Sequence, residues 1–514
     1  MDNFAELTEI QRFYRGSTIF LTGATGFIGK LILEKILRCL PVKKVFILVR
    51  TKKNQKPDQR CEEIFASPAF NLLKRTDPDA LKKVSIMTGD CALPDLGFSA
   101  QTRKIFVDEV DTIIHCAATT RFDHAIRQAT FINVRSTRDI IRMAKDIKKL
   151  RTFIYMGTGY SNCNQSEIQE KTYEPKIAAD RLITICENLD DNILELATPQ
   201  LIEGWPNTYT FTKQITEDLI NRECQSMPVC IMRPTIVLST ASEPMTAFVD
   251  NVFSLAGFVL SNAVGINRIT YYKNVITDII PADYVVSESI AAGWYVGHQF
   301  KATSRLDVPV FNISSGSENP ITQDELYDFV DYYCKQVPSP NIPAYPCYFR
   351  TTCKYNYLFV RFFLHTLLAY VVDMGAKISG KTPIMVENIK KLHKFQESYE
   401  YFTTHEFFYH TENTHKMLRR MTFKDKEMFQ FDVTTINWLN YFSRYSKGLR
   451  VYILNDPLET VPQGKKTFKK HEIELYFSVA LAVVIFYVLA KVALFKVLPA
   501  IFVLLRYCLR PVLC

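Results

Sequence analysis

Between residue 16 and about residue 335, short apolar runs rich in β-branched residues alternate with longer amphipathic stretches. The runs Thr18–Thr22, Lys44–Val49, Val84–Thr88, Thr112–His115, Thr152–Met156 and 229–232 read as strands. Segments 28–38, 125–148 and 210–223 carry apolar residues at helical spacing. This alternation predicts an α/β fold, a doubly wound parallel sheet with helices on both faces. Strand centres such as VFILV, TIIHCA and TFIYM are almost continuously apolar, as expected of strands covered on both sides. Beyond a proline cluster at 338–346 the alternation fades. Stretches 359–378 and 383–407 are apolar at helical spacing, which predicts a second, mostly helical region.

The pattern changes again at 473–505. Residues 475–490 contain no charged side chain. A membrane span needs about 20 apolar residues. The stretch 475–495 reaches that length if Lys491 extends its ammonium to the far interface. Alternatively the chain bends near Pro499 and forms a hairpin. Lys465, Lys466, Lys469 and Lys470 lie just before this stretch, and a basic collar of that kind keeps the large N-terminal part on the cytosolic side. A buried terminal helix is the competing reading. About 30 residues this apolar exceed what a core helix normally shows.

Composition narrows the remaining choices. The 514 residues are 47% hydrophobic and 22% charged, which excludes a disordered chain. The net charge of +9 is dispersed outside the collar, so nucleic acid is not an expected partner. The 13 cysteines form no CxxC pair and read as free thiols of a reducing compartment. His405, His410 and His415 stand five residues apart, not the four that put two ligands on one helix face, so no metal is expected. The opening MDNFAELTEIQRFYRG has no apolar core and does not resemble a signal peptide.

Glycine is scarce, at 18 residues, yet four fall in the first 29. The first predicted strand runs directly into Gly23-x-x-Gly26-x-x-Gly29, and a helix follows. Gly23 suits a tight turn, Gly26 the approach of a pyrophosphate, and Gly29 close helix packing, with the helix N-terminus facing the anion. The bland alternative is a ligand-free glycine turn. The second strand ends at Arg50, with Lys52 and Lys53 beyond and no carboxylate. An acidic residue there would select NAD, whereas Arg50 can fork onto a 2′-phosphate, so the expected cofactor is NADPH. Asp90 follows the third strand, where it can reach an adenine amino group. Cys116 and Ala117 follow the fourth and leave room. The candidate cofactor contacts are Thr22, Gly23, Thr25, Gly26, Phe27, Ile28, Gly29, Arg50, Asp90, Cys116 and Ala117, together with Tyr209 and Lys213.

Tyr209 and Lys213 form a Tyr-x-x-x-Lys pair, which shares one face of a helix. An ammonium beside the tyrosine hydroxyl would lower its pKa and prepare it to protonate a carbonyl oxygen as hydride arrives. Thr158, after the fifth strand, is the expected oxyanion donor, with Ser161 the alternative. Arg233, at the end of the sixth strand, is expected to position substrate or cofactor.

The segments TGATGFIG, HCAATTRF, NTYTFTK and IMRPTIV resemble the extended short-chain dehydrogenase/reductases. Together with TDIIPADYVV, FNISSGSENPIT, Asp373 with GKTP, and FQFD with Asn437-Trp438, they are similar to the alcohol-forming fatty acyl-CoA reductases over nearly the whole length. The resemblance implies an NADP-binding Rossmann reductase domain (16–335) after an N-terminal extension (1–15). A linker (336–348), a helical "sterile" domain (349–460), a basic juxtamembrane segment (461–472), a membrane segment (473–505) and a tail (506–514) complete the expected order. It implies Thr158, Tyr209 and Lys213 as the catalytic triad. The implied reaction reduces a long-chain acyl-CoA to a primary alcohol with two hydrides, at a membrane of the peroxisome or endoplasmic reticulum. Two positions depart from the family pattern. Gly157 stands where a serine is usual, and Met245-Thr246-Ala247-Phe248 precedes Asp250-Asn251 where Pro-Gly-Trp is usual. The first departure questions the rigidity of the Thr158 loop. An aldehyde-forming enzyme of the same fold, or a lapsed homologue acting as a binding protein, are the alternative readings.

Overall fold

The computed structural model describes residues 7–51, 57–253, 255–303 and 307–492, with isolated positions 495, 499 and 501. Seven strands build the central sheet: β1 (Thr18–Thr22), β2 (Lys44–Val49), β3 (Val84–Thr88), β4 (Thr112–His115), β5 (Thr152–Met156), β6 (Val229–Pro234) and β7 (Val310–Ile313). Their order is β7-β6-β5-β4-β1-β2-β3, and every pairing is parallel. The order reverses between β1 and β4. In an open parallel sheet that point leaves a crevice at the carboxyl ends of the strands, where ligands bind. The register brings Thr22 beside His115, His115 beside Tyr155 and Met156 beside Met232. The segments that follow β1, β4 and β5 therefore open on one edge. β7 was not among the six expected strands. Its apolar part is only Val310–Ile313, too short a run to stand out by pattern alone.

Each face of the sheet is covered by helices whose apolar sides match it. Helices Phe27–Cys39 and Ala282–Thr303 place Ile32, Ile36, Val285 and Ile290 on one face. Helices Ser136–Lys145 and Thr208–Glu223 place Ile140, Met143, Phe211 and Ile215 on the other. Each such side chain contributes about 1.5–3 kcal/mol on full burial, and this fixes the strand ends relative to one another.

The C-terminal region is helical, as expected, but it does not stand apart. Phe429, Tyr441, Phe442 and Tyr445 belong to the same apolar core as Ile32 and Val285. Two short parallel strand pairs cross between the regions, Phe349–Thr351 with Ile269–Tyr271 and Phe408–Tyr409 with Glu167–Ile168. The proline-rich segment is not a free linker either. The buried Arg450 guanidinium donates to the carbonyls of Val337 and Pro338, and Ser339 donates to Asp456. Carbonyls that prolines cannot pair within a helix are satisfied by side chains of the other region. The basic collar and the apolar stretch form one helix, Val461–Val492. Its apolar residues face outward. The second limb of the expected hairpin lies outside the described residues.

Candidate active site

The Gly23 turn is packed against the end of β4. Gly23 has φ +78°, and a Cβ there would lie 2.8 Å from the Ala117 nitrogen. A Cβ on Gly29 would run into the Gly23 carbonyl oxygen, so the third glycine serves the contact between the helix and the turn. Gly26 caps helix Phe27–Cys39 without a side-chain hydrogen bond and is exposed, as is Thr25. A helix N-terminus left open in this way fits a pyrophosphate, so the cradle suits a dinucleotide. Phe27 and Ile28 are half-buried, with the Phe27 ring 6.0 Å from that of Phe248.

Thr22 stands differently from its neighbours. Its buried hydroxyl accepts from the Ala117 N–H (3.0 Å) and pairs with His115 Nδ1 (2.7 Å). Its side chain locks β1 to β4 and is not free for a ligand. His115 is held neutral, its pKa lowered to about 3 by burial and by the Lys213 cation. Arg50 is exposed at the end of β2, and its carbonyl accepts from Arg60 Nη1 at 2.7 Å. Arg60, which the sequence did not single out, thus adds a second guanidinium beside the Arg50 backbone. Lys52 and Lys53 lie outside the described residues. Asp90 is half-buried and caps its own turn, accepting from the Ala92 N–H at 2.9 Å.

Asn207 starts the Thr208–Glu223 helix, its side chain accepting from the Thr210 N–H at 2.9 Å. Tyr209 therefore sits in the first turn, facing the ends of β4 and β5. Its hydroxyl lies beside the Thr158 side chain. Thr158, Tyr209 and Lys213 are brought together at the ends of β4 and β5, but their electrostatics differ from the expectation. The Lys213 ammonium donates to the Met156 carbonyl (2.6 Å) and the Tyr155 hydroxyl (3.2 Å) rather than to Tyr209. Burial pushes the Tyr209 hydroxyl up to about 12, with Thr158 acting in the opposite direction. It also lowers Lys213 to about 8. Tyr209 is consequently a protonated acid near neutral pH. Burial, which a four-residue spacing to a lysine does not reveal, sets the direction of the shift.

A second correction concerns Arg233. Both its side chain and that of Glu217 are completely enclosed. Arg233 donates to Glu217 through Nε (3.0 Å) and Nη2 (2.6 Å), and to the carbonyls of Gln169 (3.0 Å) and Lys171 (2.7 Å). Glu217 also accepts from Ser161 (2.6 Å) and Asn162 (3.2 Å). Arg233 and Ser161 thus engage Glu217 and hold the loop after β5 in place. Gly157 is likewise pinned, its N–H donating to the Met232 carbonyl at 2.7 Å. A Cβ there would meet the Glu217 carboxylate at 3.2 Å. The loop that carries Thr158 is thus held in place without the usual serine.

The wall beside Tyr209 is aromatic. Phe122 stacks 5.9 Å from the Tyr209 ring and contacts Tyr399 (4.9 Å) and Phe402 (5.6 Å) of helix Met385–Thr404. Tyr160 packs on Phe402 at 4.9 Å. Sequence reasoning missed Tyr399 and Phe402, because no spacing connects them to Tyr209. Phe122 lies in the HCAATTRF segment. The altered loop at 245–251 packs against the first turn of helix Phe27–Cys39. Asp250 pairs with Lys30, and Phe248 packs between Phe27 and Tyr452.

Comparisons place this arrangement in a family. One family profile, described as Male sterility protein, matches residues 21–289, and a second with the same description matches 364–456. Fatty acyl-CoA reductase wat of Drosophila melanogaster is 34% identical over 491 residues, 95% of this chain and 93% of its own length. Fatty acyl-CoA reductase 1 of Homo sapiens is 33% identical over 93% of each chain. The chain belongs to the fatty acyl-CoA reductase family. Among solved structures, the reductase domain of a Mycobacterium tuberculosis nonribosomal peptide synthetase aligns with a TM-score of 0.54 at 18% identity, covering 88% of this chain and 97% of that one. The terminal R domain of the myxalamid pathway gives the same score at 17% identity, covering 85% and 91%. At that identity the likeness concerns the fold. This reductase is accordingly an oxidoreductase built on a nicotinamide-binding Rossmann domain, with a fatty acyl thioester as the family's substrate class.

Proposed function

We propose that this reductase converts a long-chain acyl-CoA to the primary alcohol with NADPH, in two successive reductions at one site. The observation that carries this reading is the placement of the buried Tyr209 beside Thr158 and against an aromatic wall. Bound at the Gly23–Gly29 cradle, the nicotinamide cofactor supplies the hydride. Thr158 and Tyr209 donate hydrogen bonds to the carbonyl oxygen, and Tyr209 transfers its proton as negative charge develops there. The resulting hemithioacetal collapses to aldehyde, and its hydroxyl proton leaves with the CoA thiol. Reprotonated Tyr209 then serves the aldehyde in the same way. The Lys213 ammonium, fixed beneath β5 by Met156, keeps a positive charge near the phenolate that forms transiently.

Arg50, with Arg60 beside it, supports a 2′-phosphate and hence NADPH. We read residues 16–335 as the reductase domain and 349–460 as the helical domain. The Val461–Val492 helix anchors the enzyme in a peroxisomal or endoplasmic reticulum membrane, with the catalytic part in the cytosol. The test is NADPH oxidation by detergent-solubilised enzyme given hexadecanoyl-CoA, with products identified by chromatography. Two NADPH consumed per alcohol, at a rate lost in Tyr209→Phe while NADPH binding persists, is the expected result. Aldehyde as the sole product refutes the second step, and unchanged turnover in Tyr209→Phe refutes the assigned acid.

A further inference from the structure

Helix Lys354–Ile378 is long and apolar enough to cross a membrane, yet little of it is buried. Its two faces differ. Tyr357, His365, Ala369 and Asp373, spaced at multiples of four, are buried. This face is bound to protein along its whole length. Tyr357 donates to Gln396 (3.1 Å), and His365 accepts from the Arg268 N–H (2.8 Å) and pairs with His393 (3.1 Å). Asp373 accepts from the N–H groups of Met385 and Val386, both at 2.9 Å. The opposite face presents Phe359, Phe362, Phe363, Tyr370, Val371 and Met374, which are between 45% and 65% exposed. An apolar surface of this size on a water-soluble face is unusual and marks a contact.

Position identifies that contact. Arg268, whose N–H bonds His365, also donates to the Tyr345 carbonyl at 2.9 Å. The Tyr345 ring packs 4.8 Å from Phe468, and its hydroxyl bonds Glu472 at 3.3 Å. Phe468 and Glu472 lie on the terminal helix just before its uncharged stretch. The exposed helix is therefore tied through Arg268 and Tyr345 to the root of the membrane segment. Exposed Lys377 and Lys381 at its C-terminal end provide cations for anionic headgroups.

We propose that helix Lys354–Ile378 lies in the plane of the bilayer interface, apolar face inward, beside the point where the terminal helix enters. This rests on reading the terminal helix as a membrane anchor. It does not cross, because crossing would carry the hydrogen bonds of Tyr357, His365 and Asp373, and the protein attached to them, into hydrocarbon. A one-sided apolar helix with basic flanks settles about 5–10 Å below the headgroups. The placement has a consequence for the reaction. Helix Met385–Thr404 turns Ile389 and Leu392 toward the interfacial helix and Tyr399 and Phe402 toward Phe122 beside Tyr209. A single helix then separates lipid from the site of hydride transfer, so the acyl chain needs only a short path from the bilayer.

The test uses the full chain in vesicles of phosphatidylcholine and phosphatidylserine brominated at shallow or deep acyl positions. Phe359→Trp, Val371→Trp and Ile378→Trp report on the helix, and Phe486→Trp reports on the terminal helix. Residues 359 and 378 are about 28 Å apart along the axis, close to the hydrocarbon thickness of about 30 Å. The expected result is shallow quenching at all three sites, with depths agreeing to within about 5 Å. A graded depth from 359 to 378 overturns the proposal in favour of crossing. Quenching at 486 with none at the three sites overturns it while leaving the anchor intact, and a cross-linked dimer through that face would then name a second copy as its cover. No quenching at any site overturns both readings.

Discussion

Replacing Glu217 with glutamine tests what holds the Thr158 loop. The carboxylate accepts four hydrogen bonds, two from Arg233 and one each from Ser161 and Asn162, at 2.6–3.2 Å. Both charged side chains are almost entirely enclosed. A glutamine of the same shape keeps one acceptor oxygen and turns an NH2 group toward donors. One pair of bonds becomes donor against donor, and the Arg233 charge is left uncompensated. Breaking a buried ion pair from one side costs about 3–5 kcal/mol. Arg233 retains its bonds to the Gln169 and Lys171 carbonyls, which places the cost near the lower end, about 3 kcal/mol. At about 2 °C per kcal/mol for a large domain, the apparent melting temperature falls by about 6 °C. The assay pairs thermal unfolding with steady-state kinetics at a temperature where the variant stays folded. The turnover number should fall because Thr158 is no longer held against Tyr209, while NADPH binding at the distant Gly23 turn changes little. A double variant, Glu217→Leu with Arg233→Met, removes the charge problem. It should recover stability but not turnover. Unchanged melting and unchanged turnover in Glu217→Gln would refute the argument. Recovery of turnover in the apolar double variant would show that the pair supports the fold but does not position the loop.

Further outcomes follow from the same geometry. Lys213 titrates at about 8 in the folded chain against an ordinary 10.5, because burial disfavours its charge. Between those values the unfolded chain binds more protons, so this group's contribution to stability rises with pH. Turnover should fall on the same limb as the ammonium discharges, and a pH–rate profile of Lys213→Arg should lack that fall near pH 8. Glu288 is raised to about 8 by burial, with Glu170 adding to the effect and Thr414 opposing it. The native state holds the extra proton from the ordinary 4.5 up to about 8, so stability declines as pH rises through that window. Glu288→Gln keeps an acceptor for Thr414 and should flatten the decline in melting temperature measured from pH 5 to 8.5. Gly29→Ala would drive a methyl group into the Gly23 carbonyl. It should abolish NADPH binding in a fluorescence titration while leaving residual helix content, whereas tight binding would show that the turn can yield.

The parallel sheet, the cofactor turn and the Tyr209/Lys213 helix are legible along the chain because each depends on local periodicity or on a short motif. The nearly continuous apolar runs of β2, β4 and β5 announce double-sided burial, and glycines in so glycine-poor a chain mark the turn. The uncharged 475–490 stretch likewise declares itself by composition. Everything decided by distant partners was hidden. The direction of the Tyr209 pKa depends on how deeply the tertiary structure encloses it, and a four-residue spacing to a lysine does not report enclosure. Arg233 reads as a site residue from its place at the end of β6, yet Glu217, 16 residues earlier, turns it inward. Tyr399 and Phe402 reach the site from nearly 200 positions beyond Tyr209, and the helix that carries them holds Lys354–Ile378 on its other side. A pattern of hydrophobic residues tells which face of a helix is apolar. Only the folded chain tells whether that face is already covered, because burial is a property of what packs against a residue and not of the residue itself.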